Sequence, residues 1–178
     1  MRRRWQGIVW VMLCTVATAH AQSLPNVPVQ QLDLGRYLGQ WHEIAHLPMF
    51  FQRNCIDTIT ATYTKLPDGQ VGVHNACRTK SGMDAADGVA RTTPTVGALK
   101  VRFAPSWLSW VSWVWADYWV IELDPDYRWA VVGSPSRDYL WVLSRDPSMS
   151  REQFTALRER AAQRGYPVDK LVMAAPLR

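Results

Sequence analysis

A glycine and a tryptophan two residues apart restrict the fold of this chain more than any other feature. Gly39 permits a tight turn because it has no β-carbon, and Trp41 is large enough to plug the base of a small cylinder of strands. Much later, the segment from Tyr139 ends at Arg145, whose guanidinium is able to lie over that tryptophan in a cation–π contact of about 0.5–2 kcal/mol. We therefore expect Gly39, Trp41 and Arg145 to close one end of a barrel.

Between these two segments, short β-favouring runs alternate with turn residues, the spacing expected for an antiparallel barrel or sandwich. Pro67-Asp68-Gly69, Asp124-Pro125-Asp126 and Ser134-Pro135-Ser136-Arg137 mark three of the turns. The predicted fold is all-β, an eight-stranded antiparallel up-and-down β-barrel, because eight strands close a cup that holds one small ligand. The predicted strands are 40–47, 57–65, 70–77, 86–92, 98–103, 117–123, 128–134 and 138–144.

The hydrophobic period changes near the end of the chain. After Ser150, the apolar residues Phe154, Leu157 and Ala161 recur at helical spacing as far as Gln163. This pattern predicts one C-terminal α-helix packed on the outside of the sheet, with Phe154 and Leu157 facing inward. The segment 170–175 is predicted to add a short closing strand.

The first 21 residues have the composition of a secretory signal peptide. Arg2, Arg3 and Arg4 precede an apolar stretch at 7–16, and Ala19-His20-Ala21 resembles a cleavage site with small residues on either side of His20. The apolar stretch is shorter than the roughly 20 residues that span a membrane, so we expect residues 1–21 to be removed and 22–178 to form one domain. Removal lowers the formal net charge from +5 to about +2, and without a basic stripe we expect no nucleic-acid partner.

Cysteine usage indicates one disulfide. Cys14 lies in the predicted signal peptide, which leaves Cys55 and Cys77 in the mature chain, in an oxidising periplasm. Their disulfide would close a loop of about 22 residues and stabilise the fold by roughly 3 kcal/mol in the chain-entropy treatment. If Asp68-Gly69 is a two-residue turn, Cys77 lies opposite Thr60, so the chain must bend or bulge before Thr58.

Tryptophan is concentrated in the connection between the fifth and sixth predicted strands. Trp107, Trp110, Trp113 and Trp115 form an uncharged mouth loop, although loops normally lie on the surface. Three interpretations remain open: a lid folded into the barrel mouth, an exposed patch that contacts outer-membrane lipid or a partner, and ordinary core packing.

Three segments, in order along the chain, resemble the motifs of the lipocalin family, and the resemblance extends over 32–174. They are 37–45, 117–127 and 137–145, and the likeness is to the bacterial outer-membrane lipocalin (Blc) and apolipoprotein D-like group. The resemblance implies a barrel that is closed at Trp41, open at its other end, and binds fatty acids or lysophospholipids for lipid storage or transport in the bacterial cell envelope.

The bacterial members of this group are often outer-membrane lipoproteins. No acceptor cysteine follows the predicted cleavage site here, so we expect a free periplasmic protein, with peripheral association with the outer membrane as the alternative.

Strand alternation and the resemblance together predict which residues line the cavity. With Trp41 inward, Glu43 and Ala45 share its face, and on the fifth strand Lys100 and Arg102 mark the outer face. The predicted ligand-binding cavity residues are Glu43, Ala61, Tyr63, Val73, Asn75, Leu99, Val101, Phe103, Tyr118, Val120, Ala130, Val132, Trp141 and Leu143.

Titratable residues in the first strand allow more than one interpretation. Glu43 either faces outward and is solvated, or faces inward and needs a partner such as Arg145 or a tyrosine hydroxyl, because an unpaired buried carboxylate is costly. His42 and His46 lie about 13 Å apart on one outer face of an extended strand. We therefore expect no metal site.

The sequence contains no nucleophile elbow, phosphate-binding loop or zinc-ligand spacing. We expect binding without catalysis and without a cofactor. One alternative is a lipocalin-fold enzyme acting on a bound lipid or isoprenoid. The other is a small outer-membrane barrel, and the predicted surface helix argues against it. The sequence is also compatible with a homodimer.

Overall fold

The computed structural model describes residues 23–178, except for the side chain of Trp113. The predicted signal peptide and Cys14 lie outside these residues. The expected eight-stranded antiparallel barrel is confirmed, because β1 pairs with β2 along one edge and with β8 along the other. The strands are β1 Gly39–His46, β2 Asp57–Lys65, β3 Val71–Thr79, β4 Gly82–Thr92, β5 Ala98–Arg102, β6 Ala116–Leu123, β7 Trp129–Gly133 and β8 Leu140–Ser144, with a short β9, Val172–Met173, on the edge of β1.

Two α-helices accompany the barrel in the part of the chain that the structure describes. Helix α1, Leu34–Tyr37, precedes β1, and helix α2 spans Arg151–Gln163. The hydroxyl of Ser150 accepts a hydrogen bond from the backbone N–H of Gln153 at 3.1 Å, which caps the first turn of α2. The predicted C-terminal helix is therefore confirmed, and Phe154 and Leu157 on its inner face are buried.

Apolar side chains form two layers, one inside the barrel and one between the barrel and α2. The outer layer joins Leu157 to Ile121, Val131 and Val142, whose strands therefore carry apolar residues on both faces. Glu122 lies in the same layer, and its carboxylate is 2.6 Å from the guanidinium nitrogens of both Arg160 and Arg164. These two ion pairs hold the helix against the sheet.

A bulge in β1 changes which face of the sheet the side chains of its last residues point to. Glu43 pairs with Leu143, but the next paired residues are Ala45 with Val142 and then His46 with Trp141. One extra residue shifts the alternation of a strand by one position. The expectations that Ala45 faces inward and that His46 faces outward are therefore wrong: Ala45 packs in the outer layer and His46 shares the inner face with Glu43.

The expected disulfide is confirmed, and so is an irregularity in the strand beside it. Cys55 and Cys77 are bonded with their Cα atoms 5.6 Å apart. The register of β2 against β3 shifts between Asp57 and Thr60, where Thr58 has a φ of 55°. This bulge brings the start of β2 to Cys77.

Strand β4 is longer than the sequence indicates. It begins at Gly82, whereas the sequence predicts a start at 86. The sequence gives no signal for the earlier start, because residues 83–87 are exposed on both faces and show no hydrophobic alternation. The additional residues pair with β3 as far as Thr79. Because β4 pairs with β5 only from Val89 onward, the β3–β4 hairpin extends past the edge of β5.

Arg145 closes one end of the barrel. Its guanidinium carbon lies 3.8 Å from the centroid of the fully buried Trp41 ring. Its nitrogens donate to the backbone oxygens of Gln40 at 2.8 Å, Arg36 at 2.8 Å and Leu38 at 2.9 Å. One side chain thus binds the last strand to the turn that precedes the first.

Gly39 occupies the crowded position in this turn. Its φ is +93°, and a β-carbon placed on it would lie 3.3 Å from a terminal nitrogen of Arg145. A side chain at this position would therefore be strained by its backbone conformation and would crowd the guanidinium.

Arg145→Lys is expected to lower the free energy of unfolding by about 2 kcal/mol, because the donors of an ammonium group are centred on one nitrogen and do not span the separate backbone oxygens of Gln40, Arg36 and Leu38. Urea denaturation followed by tryptophan fluorescence measures the change. Arg151→Lys, at an exposed position on α2, is the matched control and should shift the unfolding free energy by less than about 0.5 kcal/mol. Equal stability of the two variants would contradict the closing role of Arg145.

Candidate functional site

The up-and-down topology gives the barrel one closed and one open end. Strand β1 starts at the Trp41 end, so the turns β2–β3, β4–β5 and β6–β7 lie at that end with α1. The connections β1–β2, β3–β4, β5–β6 and β7–β8 lie at the opposite end, which is the mouth.

The lower interior is packed solid. Most of the predicted cavity residues join Trp41 and Tyr37 in a single buried cluster rather than lining open space. The aromatic rings of Trp41 and Tyr37 lie 5.0 Å apart between centroids, and those of Tyr37 and Tyr63 lie 5.6 Å apart. These side chains therefore fill the interior around Trp41. The predicted cavity residues in this cluster are Tyr63, Val73, Leu99, Val101, Val120, Ala130, Val132 and Leu143.

Small side chains line one side of the interior above this cluster. The register places Ala61 opposite Trp41, Asn75 opposite Ala61, and Ala86 opposite Asn75. Ala61 and Asn75 are half-buried and Ala86 is exposed. We call Ala61, Asn75 and Ala86 the upper wall; the sequence offers no signal for Ala86, because its strand is not recognisable before that residue.

Three tyrosine hydroxyls meet inside the barrel core. The hydroxyl oxygen of Tyr118 lies 2.8 Å from that of Tyr37 and 2.8 Å from that of Tyr63. Burial raises the pKa of Tyr63 to about 12 and raises the pKa values of Tyr37 and Tyr118 well above their ordinary value. All three hydroxyls therefore keep their protons at neutral pH. We call Tyr37, Tyr63 and Tyr118 the tyrosine trio.

Glu43 faces the interior and is only 6% exposed. One carboxylate oxygen accepts a hydrogen bond from the side-chain nitrogen of Gln52 at 2.9 Å, and the Gln52 oxygen accepts from the indole N–H of Trp141 at 3.3 Å. Nε2 of His46 lies 3.8 Å from the other carboxylate oxygen. The partner of Glu43 is therefore Gln52, and the expectation of Arg145 or a tyrosine hydroxyl is wrong, because Arg145 binds carbonyls below Trp41.

Burial determines the charge of this cluster. Desolvation raises the pKa of Glu43 from 4.5 to about 8, although the Gln52 hydrogen bond opposes the shift. Desolvation lowers the pKa of His46 from 6.5, against hydrogen bonds from the Leu47 backbone and Gln52. Both side chains are therefore uncharged at neutral pH. The sequence contains no signal for either His46 or Gln52 as part of the interior. A bulge turns the side chain of His46 inward, and Gln52 lies in the β1–β2 connection.

The mouth loop divides its tryptophans between two environments. Trp115 is buried against the outer wall, with Arg91 and Arg102 at 4.2 Å and 5.2 Å from its ring centroid, and its indole N–H donates to the oxygen of Ser109 at 2.8 Å. Trp107 and Trp110 project into solvent instead of entering the barrel. The ring of Phe103 lies over Gly88 at the mouth and is partly exposed.

Several exposed apolar side chains surround the mouth. They come from the β1–β2 and β5–β6 connections and from the start of β4, which the topology brings to one end of the barrel. We call the four most exposed of them the apolar rim: Phe50 at 76%, Met83 at 64%, Trp107 at 71% and Trp110 at 81%.

A separate cleft of about 170 Å³ opens at the closed end, between α1 and the β2–β3 turn. Pockets for drug-sized ligands occupy about 300–1,000 Å³, so this cleft is small for a lipid chain. Within residues 23–178, no three histidine, cysteine or acidic side chains converge as metal ligands would. No helix in this part of the chain has the length and apolarity needed to cross a membrane.

Comparison with known sequences identifies similar proteins over most of the chain. Residues 32–176 match the family described as "Lipocalin-like domain". Temperature-induced lipocalin-1 of Arabidopsis thaliana is 42% identical over 148 residues, covering 80% of this chain and 78% of that protein. Outer membrane lipoprotein Blc of Escherichia coli strain K12 is 38% identical over 148 residues, covering 81% of this chain and 79% of that protein.

A solved structure supports the same architecture. Insecticyanin from the tobacco hornworm Manduca sexta superimposes with a TM-score of 0.65 and 19% sequence identity, and the match covers 88% of each chain. At this identity, the likeness concerns the fold alone.

Glu43→Gln is expected to become progressively more stable than the parent protein as the pH rises from about 4.5 to 8. In that interval the unfolded carboxyl of the parent loses its proton while the folded one keeps it, which costs the parent up to about 1.4 kcal/mol per pH unit. Below about pH 4.5 and above about pH 8, the difference should stay constant. Urea denaturation of both proteins at half-unit pH steps measures it, and a difference independent of pH would show that Glu43 is ionised in the folded state.

Proposed function

The chain belongs to the lipocalin family, and we propose that it binds fatty acids or lysophospholipids in its barrel and stores or transports them in the bacterial cell envelope. Lipocalins in general bind small hydrophobic ligands. The finer assignment to single-chain lipids depends on the upper interior, where the small side chains of the upper wall stand above a packed aromatic floor.

The upper wall is the observation that carries this proposal. Ala61, Asn75 and Ala86 are small side chains paired across adjacent strands on one inner face. Ala61, Asn75 and Trp141 are half-buried and Ala86 is exposed, which supports access from the mouth. An acyl chain entering there would leave water and contact Ala61, Trp141 and the partly exposed ring of Phe103. The burial of each methylene contributes about 0.8 kcal/mol. The headgroup of a lysophospholipid would remain at the mouth.

We propose binding without catalysis. The inward groups with acid–base chemistry, Glu43 and His46, are shielded. Among residues 23–178, Oε1 of Glu43 and Nδ1 of His46 are buried without a hydrogen-bond partner, and Gln52 covers the other carboxylate oxygen. A general base must come within hydrogen-bond reach of the proton that it removes. This shielding favours binding over an enzyme acting on a bound lipid or isoprenoid.

The proposed location is the periplasm, with association with the outer membrane. The disulfide between Cys55 and Cys77 fits an oxidising compartment. The E. coli relative is named an outer membrane lipoprotein, which supports a place in the envelope.

Ala86→Phe is expected to weaken the binding of oleic acid and of 1-oleoyl-lysophosphatidylethanolamine at least about tenfold, because a ring on the upper wall would occupy the space of the chain. Ala85→Phe is the matched control: Ala85 is also exposed, but it pairs with Ala76, on the opposite face of β4. Native mass spectrometry of each protein with each lipid measures stoichiometry and affinity.

The parent protein and Ala85→Phe should each bind close to one lipid per chain. Equal binding by Ala86→Phe would place the ligand elsewhere, and a parent protein that binds neither lipid would contradict the proposed function. Recovery of chemically altered lipid after incubation would instead support the enzyme alternative.

We also propose that the apolar rim contacts the surface of a lipid bilayer. Exposed apolar patches on soluble domains mark interaction surfaces, and Trp107 and Trp110 project from the end through which a lipid must enter. Exposed basic residues, Arg53 and Lys80, lie in the β1–β2 and β3–β4 connections and complement anionic headgroups. Mouth-first contact would let a lipid pass between the bilayer and the barrel without crossing water.

Replacing Trp107 and Trp110 together with serine is expected to lower partition onto vesicles of phosphatidylethanolamine and phosphatidylglycerol by at least about 100-fold, since each buried large apolar side chain contributes about 1.5–3 kcal/mol and about 1.4 kcal/mol is tenfold. Co-sedimentation measures the bound fraction. Val96→Ser, at an exposed apolar position in the β4–β5 turn at the closed end, should leave partition unchanged. Unchanged partition of the tryptophan variant would contradict the contact, and analytical ultracentrifugation without vesicles would reveal a homodimer formed through the rim.

A further inference from the structure

Two arginines pack around one tryptophan ring on the outer wall of the barrel, where the mouth loop returns to the sheet. The guanidinium carbons of Arg91 and Arg102 both lie within 5.2 Å of the ring centroid of Trp115. Arg102 and Trp115 are buried, whereas Arg91 is exposed to solvent. We call Arg91, Arg102 and Trp115 the Arg–Trp cluster.

The Arg–Trp cluster carries two positive charges that no acidic side chain neutralises. In the described part of the chain, no carboxylate forms an ion pair with either arginine. An acidic residue on the same face of the sheet, Asp117, is bound to Lys100 at 2.7 Å. Arg102 donates to the backbone oxygen of Ala104, and its Nε is buried without a hydrogen-bond partner among the described residues. Because buried charges are screened less than exposed ones and like charges repel, an anion beside this cluster is favoured.

A hydrogen bond joins the cluster to the part of the mouth loop that exposes its tryptophans. The indole N–H of Trp115 donates to the backbone oxygen of Ser109 at 2.8 Å, and Ser109 directly precedes Trp110 in the chain. The side chains of Trp107 and Trp110 are 71% and 81% exposed. A bilayer that receives these two side chains would therefore bring its headgroups close to the Arg–Trp cluster.

From this arrangement we propose that the Arg–Trp cluster binds the phosphate of an anionic phospholipid headgroup, such as that of phosphatidylglycerol, in the bilayer that the apolar rim contacts. Arg91 makes the contact because it is exposed. Stacking on Trp115 occupies the face of its guanidinium and not the N–H donors in its plane, which match two oxygens of a phosphate. Arg102 adds positive charge from the buried side. The inference rests on the proposed bilayer contact and adds the headgroup chemistry.

Co-sedimentation with vesicles of phosphatidylcholine, with and without phosphatidylglycerol, tests this site. Arg91→Gln is expected to lower partition onto the mixed vesicles at least about 10-fold, the value of a hydrogen bond to a charged group. Its partition onto phosphatidylcholine alone should change by less than about twofold. Arg53→Gln is the matched control: Arg53 is also exposed, in the β1–β2 connection, and loss of one diffuse surface charge should lower partition by at most about fivefold.

Arg91→Lys separates a phosphate site from general surface charge, because lysine keeps the charge but lacks the planar pair of donors. It should lower partition onto the mixed vesicles about 2- to 10-fold, the value of one hydrogen bond. Circular dichroism and the binding of oleic acid check that each variant keeps its fold and its barrel. Inorganic phosphate titrated without vesicles should not saturate the protein at millimolar concentration.

The outcomes distinguish this inference from the proposals that it rests on. Equal partition of Arg91→Lys and the parent protein, or equal losses for Arg91→Gln and Arg53→Gln, would overturn the headgroup site and leave the bilayer contact intact. Saturation by millimolar inorganic phosphate would overturn the choice of a lipid headgroup. A parent protein that partitions onto neither kind of vesicle would contradict the bilayer contact as well, whereas its binding of oleic acid is measured independently.

Discussion

The contact between Arg145 and Trp41 determines how the rest of the barrel is arranged. A guanidinium lying over the indole and donating to five backbone oxygens joins the end of β8 to the turn before β1 and to the β6–β7 turn. With this end closed, the opposite loops must form the mouth, and Trp41 with Tyr37 fills the base. The position of the tyrosine trio next to Trp41 and the placing of the mouth loops at the opposite end both follow from this closure.

Polar groups inside the barrel are compatible with an apolar ligand because they are uncharged. Glu43 and His46 are adjacent on the inner face, and burial shifts both pKa values toward the neutral forms. Gln52 spans the gap between Glu43 and Trp141, so the cluster satisfies much of its own hydrogen bonding. The interior thus orients polar atoms without the desolvation cost of a buried ion.

The loops at the mouth combine two properties. They are held in place, since the disulfide attaches the β1–β2 connection to β3 and Trp115 anchors the β5–β6 connection to the outer wall. They also expose large apolar side chains at Phe50, Trp107 and Trp110. A fixed apolar surface around the entrance is suited to contact with lipid, and it distinguishes this end from the closed one.

The sequence alone determined the architecture, because period-two strands, turn residues, the helical period after Ser150 and the closing residues Gly39, Trp41 and Arg145 are all local or motif-level signals. It also indicated the disulfide and the inward face of β5, where Lys100 and Arg102 leave one choice. Only the tertiary structure decided the directions of Ala45 and His46, the partner of Glu43, the early start of β4 and the exposure of Trp107 and Trp110. The physical reason is that a bulge shifts the alternation by one residue without a compositional signal, while the burial of a loop side chain or a carboxylate depends on strands distant in the chain.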